Sequence, residues 1–208
     1  MTTSQLAGAT LLLLVLLGGV YFTADVSPVQ AGSPSIEETM SQRMSTRSYK
    51  PDNITNQQLL EVLRAAYGYW GDHRSTPQIG SDRSLVTFAI NATGSYQYIP
   101  ESNTLIAFNL NVNKETIRPY VQSYPSDASV ILIPVWDQTV MSNSYFAFAE
   151  AGCFVQNTYL AALSLGLGTV CVGGVSEGAI ANYLFEFPNN MFPVLAMPLG
   201  LSPPRQCC

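Results

Sequence analysis

Two short stretches of this chain are chemically suited to holding an anionic, flat ligand. The first contains Arg43, Ser45 and Arg47. Guanidinium groups match phosphate oxygens in a bidentate way, and a serine hydroxyl adds a third contact. Taken alone, the same residues read more simply as two solvated arginines near a helix C-terminus, where cations are favoured. The second stretch is Gly173-Gly174, near the end of the segment EAGCFVQNTYLAALSLGLGTVCVGGV from Glu150 to Val175. Bare backbone lets a flat ligand approach closely and accept hydrogen bonds from N–H groups, although a tight turn after a core helix also accounts for the two glycines. His73 is the only histidine, and no His/Cys cluster has metal-ligand spacing. A histidine-based triad would have to use His73, and nothing around it points to one.

The elements that must position these residues follow from periodicity. Phe148, Cys153, Phe154, Leu160, Ala161, Leu163 and Leu165 recur at helical spacing but spread round most of the circumference. That predicts a helix inside a core. Gly166 and Gly168 supply its stop, and Val170, Cys171 and Val172 suit a strand leading to Gly173. At the other end, Ser35 with Glu38 forms a capping box that opens a helix running to about Met44. Thr55 with Gln58 forms a second, ahead of an apolar face made of Leu59, Leu60, Val62, Leu63 and Ala66, with Gly68 and Gly71 at its end.

A polar loop spans 71–83, followed by a strand over 84–91 and a hairpin over 94–110 that turns at 100–103. A short helix is expected over 113–124, a buried strand over 129–136 despite Pro134, a short helix over 177–185 and a last strand over 193–199. Together these make an α+β domain, with a central mixed or antiparallel sheet flanked by helices.

The 208 residues suit one domain, 35–208, behind an N-terminal segment, 1–34. The net charge of −5 and the lack of a basic stripe argue against nucleic acid as a partner. Leu6 to Phe22 is an almost uninterrupted apolar run, readable as a cleaved signal or a retained membrane anchor. Either reading points to export, with Thr23 to Ser35 as a tether. Asn53-Ile54-Thr55 and Asn91-Ala92-Thr93 then fit the N-glycosylation pattern. Cys153 and Cys171 read as inert core thiols, and the terminal Cys207-Cys208 could pair with another chain.

Taken together, the motifs resemble the nitroreductase family. QRMSTRSY followed by a capped amphipathic helix resembles its opening motif, and the Glu150–Val175 segment resembles its long helix and following strand. FPVLAMPLG resembles its final strand. GSYQYIPESNTLIAF resembles a hairpin of one branch, the SagB-type dehydrogenases.

The resemblance spans about Glu37 to Gly200. It implies an FMN-dependent oxidoreductase, passing hydride through bound flavin in two steps, with NAD(P)H as a possible donor and no essential protein acid or base. It also implies a homodimer with flavin between subunits. By the same resemblance, Arg43, Ser45 and Arg47 hold the phosphate end. Gly173 and Gly174 lie near the flavin N5 edge, and Arg205 adds a basic phosphate contact.

The loop with Arg74, Pro77 and Gln78 would approach the flavin and the substrate. There Arg74, Pro77 and Gly80 fit the branch's pattern, whereas its serine and its Tyr-Pro pair are absent. The Lys-Tyr pair of azoline dehydrogenases is also missing, which disfavours that activity. The alternative to an enzyme is an exported flavin-binding or structural domain that has lost catalysis.

Overall fold

The computed structural model describes residues 21–23, 35–77, 79–80, 83–122, 127–176, 180 and 190–203. In chain order its elements are β1 (Tyr21–Thr23), α1 (Ile36–Gln42), α2 (Asn56–Tyr67), β2 (Tyr69–Trp70) and β3 (His73–Arg74). Then come β4 (Leu85–Ile90), β5 (Ser95–Ile99), β6 (Thr104–Asn109), α3 (Lys114–Ile117) and β7 (Val130–Asp137). The chain continues through α4 (Ser144–Ser164), β8 (Leu167–Thr169), β9 (Met191–Pro193) and β10 (Met197–Leu201).

Both expected capping boxes are present. Ser35 and Thr55 each accept from the third residue of their helix, whose side chain bonds back to the cap N–H. Among the described residues, one sheet runs in the order β1-β6-β5-β4-β7-β10-β8, with β9 also on β7. Its recorded strand pairs are antiparallel. The end of the N-terminal apolar run supplies its edge, since Tyr21–Thr23 pair with Ile106–Thr104.

Strand β7 is buried along nearly its whole length, as its apolar run predicts. Pro134 is tolerated within it because the neighbouring strand is broken there. Val135 pairs with Pro193 on β9 and Leu132 with Met197 on β10. Two β7 residues therefore face three on the other side, and the extra residue forms a bulge where proline's missing N–H does little harm. Val194 N–H still finds the Pro134 carbonyl at 3.0 Å.

Helices α2 and α4 pack on one face of the sheet, around Leu60, Leu63, Tyr67, Phe154 and Leu132. A second apolar cluster on the other face gathers Phe88, Ile117, Ile131 and Ile133. A buried charge holds the first layer together. Glu150, 1% exposed, accepts the Tyr67 hydroxyl at 2.8 Å, the Ser84 N–H at 3.0 Å and the Ser84 hydroxyl at 2.5 Å. Tyr67 in turn accepts the Leu85 N–H at 3.1 Å. Arg83 donates to the carbonyls of Tyr67 and Gly68, the latter at 3.0 Å, and so caps the C-terminus of α2.

Several expectations change. Helix α4 is not surrounded. Of its expected core positions only Phe154 is buried, Phe148 is 47% exposed and the other five are half-buried. The buried face is instead Ala147, Glu150, Ala151, Phe154, Thr158, Tyr159 and Ala162, because the polar groups meet partners there. Gly166, at φ 70°, ends the helix, but Gly168 lies inside the next strand. That strand is Leu167–Thr169, and Val172 keeps only an isolated bridge to Ala196. The polar loop folds a two-stranded ribbon, β2–β3. Helix α3 is a single turn followed by a 3-10 turn at Arg118–Tyr120, where Pro119 lacks the N–H to continue. The helix expected over 177–185 and the terminal cysteines lie outside the described residues, apart from the buried Ile180.

Glu150→Ala should destabilise the fold by about 3 kcal/mol, since it strands the buried Ser84 N–H and Tyr67 hydroxyl. Urea unfolding measures this, and a change near zero contradicts the clamp.

Burial, then the nearby Glu150 charge, pushes the Tyr67 hydroxyl well above the ordinary tyrosine range. Burial also raises Tyr98, against the pull of Arg83 and Arg64. Both groups are neutral in the fold and ionise near pH ~10 once unfolded. Their contribution is therefore complete below pH ~10 and is lost as pH climbs toward the raised folded values. Tyrosinate absorbance from these two groups should appear only together with loss of circular dichroism. Ionisation at pH ~10 in an intact fold contradicts this.

Candidate functional site

Arg43 caps α1, and from there the chain runs without regular structure to Lys50 along the edge of the sheet. It is fastened there by backbone bonds. Thr46 N–H donates to the Thr169 carbonyl at 2.9 Å and Lys50 N–H to that of Leu201 at 3.0 Å. The Tyr49 hydroxyl lies 2.8 Å from the Thr46 carbonyl and 3.2 Å from that of Pro198. Two glycines make room. A Cβ on Gly168 would sit 2.6 Å from Thr46, and one on Gly200 would sit 2.9 Å from the Tyr49 ring. This fastening fixes where Ser45 can point.

Ser45 points at Tyr159 of α4, with its Oγ 3.1 Å from the phenol oxygen. The same phenol accepts the Cys171 N–H at 2.8 Å. The Arg43 guanidinium lies 5.0 Å above the Tyr159 ring. Tyr159 therefore joins the Arg43–Ser45 segment to the segment after β8 that leads, two residues past Cys171, to Gly173. A small cavity of about 20 Å³ beside β8 is lined by Arg43, Thr46, Tyr159, Gly168 and Ser202 among others, but not by Ser45 or Gly173. It has room for about one water.

Gly173 is exposed, and nothing lies within 4 Å of the Cβ it lacks. Among the described residues neither its N–H nor that of Gly174 donates to a backbone carbonyl. An open face and available donors are what a flat ring edge would need. Gly174 also has a packing reason to be bare, because a Cβ there would meet Gln122 at 2.5 Å.

The remaining candidates divide. Arg47 is exposed on the same extended segment. Arg74 lies on β3 opposite Tyr69, half-buried, and Pro77 is exposed beyond it. The adjoining Ser75 carbonyl accepts the Asn157 amide at 3.0 Å. Asn157 and Tyr159 are two residues apart on α4, about 200° round the helix. Arg74 and Pro77 therefore belong to one flank of α4, and Arg43 and Ser45 to the other. One chain does not gather them into a single cleft along this helix. Gln78 and Arg205 lie outside the described residues.

Sequence reasoning missed Tyr159, Asn157, Thr46 and Glu150 as positioning residues. Glu150 carried a signal, as the only charge on the 21-residue α4. Tyr159 carried none, since its partners are 114 and 12 residues away. Cys171, expected as a core thiol, is half-buried, and burial pushes its pKa up.

Residues 40–201 match the sequence profile of the nitroreductase family. The chain belongs to the nitroreductase family.

A nitroreductase-named protein of Methanocaldococcus jannaschii is similar to it, at 29% identity over 79% of this chain and 90% of that one. Solved nitroreductase structures share its fold. One from Ralstonia eutropha covers 89% of this chain and 90% of its own, at TM-score 0.73 and 21% identity. One from Desulfovibrio desulfuricans, solved in complex with FMN, covers 84% and 92%, at TM-score 0.58 and 19% identity. The α+β nitroreductase fold, with a central antiparallel sheet and packed helices, is thus present. Members of the nitroreductase family are flavin oxidoreductases, which gives Arg43, Ser45 and Gly173 their context.

Gly168→Ala should destabilise this domain by about 1–3 kcal/mol, because its Cβ would meet the buried Thr46 side chain at 2.6 Å. Gly173→Ala should stay within about 0.5 kcal/mol of the native chain. Paired urea unfolding curves check both, and equal losses at the two sites contradict the assignment of one glycine to packing and the other to an open face.

Proposed function

We propose that this chain is an FMN-dependent oxidoreductase, with the flavin phosphate at Arg43, Ser45 and Arg47 and the ring edge at Gly173. The carrying observation is the Tyr159 bridge, which ties the basic segment to Cys171, two residues before Gly173. The residues present fit the group. A guanidinium and a hydroxyl suit a phosphate, and an open glycine with available N–H groups suits a planar edge. Bound flavin would supply hydride transfer between a donor, NAD(P)H being one candidate, and a small-molecule acceptor. The chain's own part is to hold the phosphate, present N–H donors where negative charge develops, and keep one ring edge close to bare backbone.

A homodimer completes this reading. The outward face of α4 carries Tyr145, Ala149, Gly152, Gln156, Leu160 and Leu163, with no charge. Tyr145 is 82% exposed. A second copy on this face would cover it. It would also offer the opposite flank, with Arg74 and Pro77, to the Arg43–Ser45 segment of its neighbour. The hairpin of β5 and β6, with a register shift between Ser95 and Tyr96, lies where the resemblance to the SagB-type branch puts one. The apolar run over residues 6–22 supports export with the domain outside the cytoplasm, either secreted or anchored. Recovery of the full chain wholly in the cytosol would rule that out.

The test is a flavin titration of the full chain in mild detergent, followed by visible absorbance. Micromolar FMN binding to a dimer is expected, with the stoichiometry and mass taken from light scattering. Arg43→Ala should weaken binding by about 1.5–3 kcal/mol. No binding at all, or a flavin-loaded monomer, counts against the reading. Bound flavin that no donor and acceptor can cycle would instead favour a flavin-binding domain without catalysis.

A further inference from the structure

Tyr159 lies between the two ends of the proposed flavin site, and the direction of its hydrogen bonds can be worked out. The phenol oxygen accepts the Cys171 N–H at 2.8 Å. A backbone N–H can only donate, so that end of the contact is fixed. The phenol has one proton left to give, and the Ser45 hydroxyl oxygen lies 3.1 Å away. Among the described residues no other acceptor for that proton is recorded. With Tyr159 donating to Ser45 Oγ, the serine keeps its own proton free to donate elsewhere. The three donors then point one way, from Cys171 N–H through Tyr159 O–H to Ser45 O–H. Such a chain is polarised in one sense, and each bond strengthens the next.

We infer that Tyr159 is a positioning residue that turns Ser45 into a dedicated donor toward an anionic oxygen beside Arg43. The inference rests on the flavin reading for the identity of the anion, here the terminal phosphate of FMN. Arg43 stacks over the same ring, at 5.0 Å, so charge and oriented hydroxyl share one support. Tyr159 is only 7% exposed, which keeps water from competing for its proton. Because the relay begins at Cys171 N–H, an anion at Ser45 also tightens the backbone two residues before Gly173.

The test compares FMN with riboflavin, which has the same ring and no phosphate, on the full chain and on Tyr159→Phe. Tyr159→Phe should weaken FMN binding about tenfold or more, leave riboflavin within about twofold, and so erase the preference for the phosphorylated ligand. Ser45→Ala should do the same, and the double variant should be no worse than either single one. In the native chain the Cys171 amide proton should shift when inorganic phosphate is titrated in, and Tyr159→Phe should abolish that shift. Equal weakening of both ligands by Tyr159→Phe would make the residue structural only and overturn the inference. So would additive losses in the double variant. A native chain that binds neither FMN nor riboflavin overturns the flavin reading itself. A phosphate-dependent Cys171 shift would then still support the relay, and its absence would overturn that too.

Discussion

A carboxylate that is 1% exposed cannot remain in an apolar layer unless its lone pairs are filled, and the layout of this domain follows from how Glu150 fills them. Tyr67 from α2 and Ser84, just ahead of β4, converge on it. Three elements distant in sequence thereby acquire one relative position. The rotation of α4 about its own axis is set as well. With Glu150, Phe154 and Thr158 turned inward, Asn157 and Tyr159 must emerge on opposite flanks, and the uncharged remainder must face out.

The candidate site is built on that rotation. On one flank Tyr159 receives the Cys171 N–H, touches Ser45 and supports Arg43. On the other flank Asn157 holds the Ser75 carbonyl, and with it the ribbon that carries Arg74. The uncharged face of the helix lies between these two flanks. The glycines are divided by the same logic. Gly168 and Gly200 are bare so that the Arg43–Lys50 segment can lie against the sheet, whereas Gly173 is bare with nothing against it.

Local chemistry was legible from the sequence. The caps at Ser35 and Thr55, the apolar face of α2, the hairpin and the run of β7 all follow from interactions within a few residues, and they appear where expected. The errors arise where distant contacts decide. Hydropathy alone made α4 a fully enclosed helix, because it ranks Phe148 above Glu150 and Thr158. The fold buries the two polar residues, since they find partners, and leaves the phenylalanine half out. The strand after α4 starts three residues early because Gly168 fits against Thr46, a contact across more than a hundred residues. Arg43, Ser45 and Gly173 were visible as residue types in suitable places. Their link through Tyr159 was not, as nothing local distinguishes that tyrosine from a core aromatic.

The central claim is that the Arg43–Ser45 segment and the Cys171–Gly174 segment form the two ends of one flavin site. A crystal structure of the full chain grown with FMN tests it most directly. The account predicts the phosphate within hydrogen-bond distance of Ser45 Oγ and the Arg43 guanidinium, and the N5 edge of the ring against the Gly173 and Gly174 N–H groups. A flavin seated elsewhere, or a phosphate held without either residue, would contradict it.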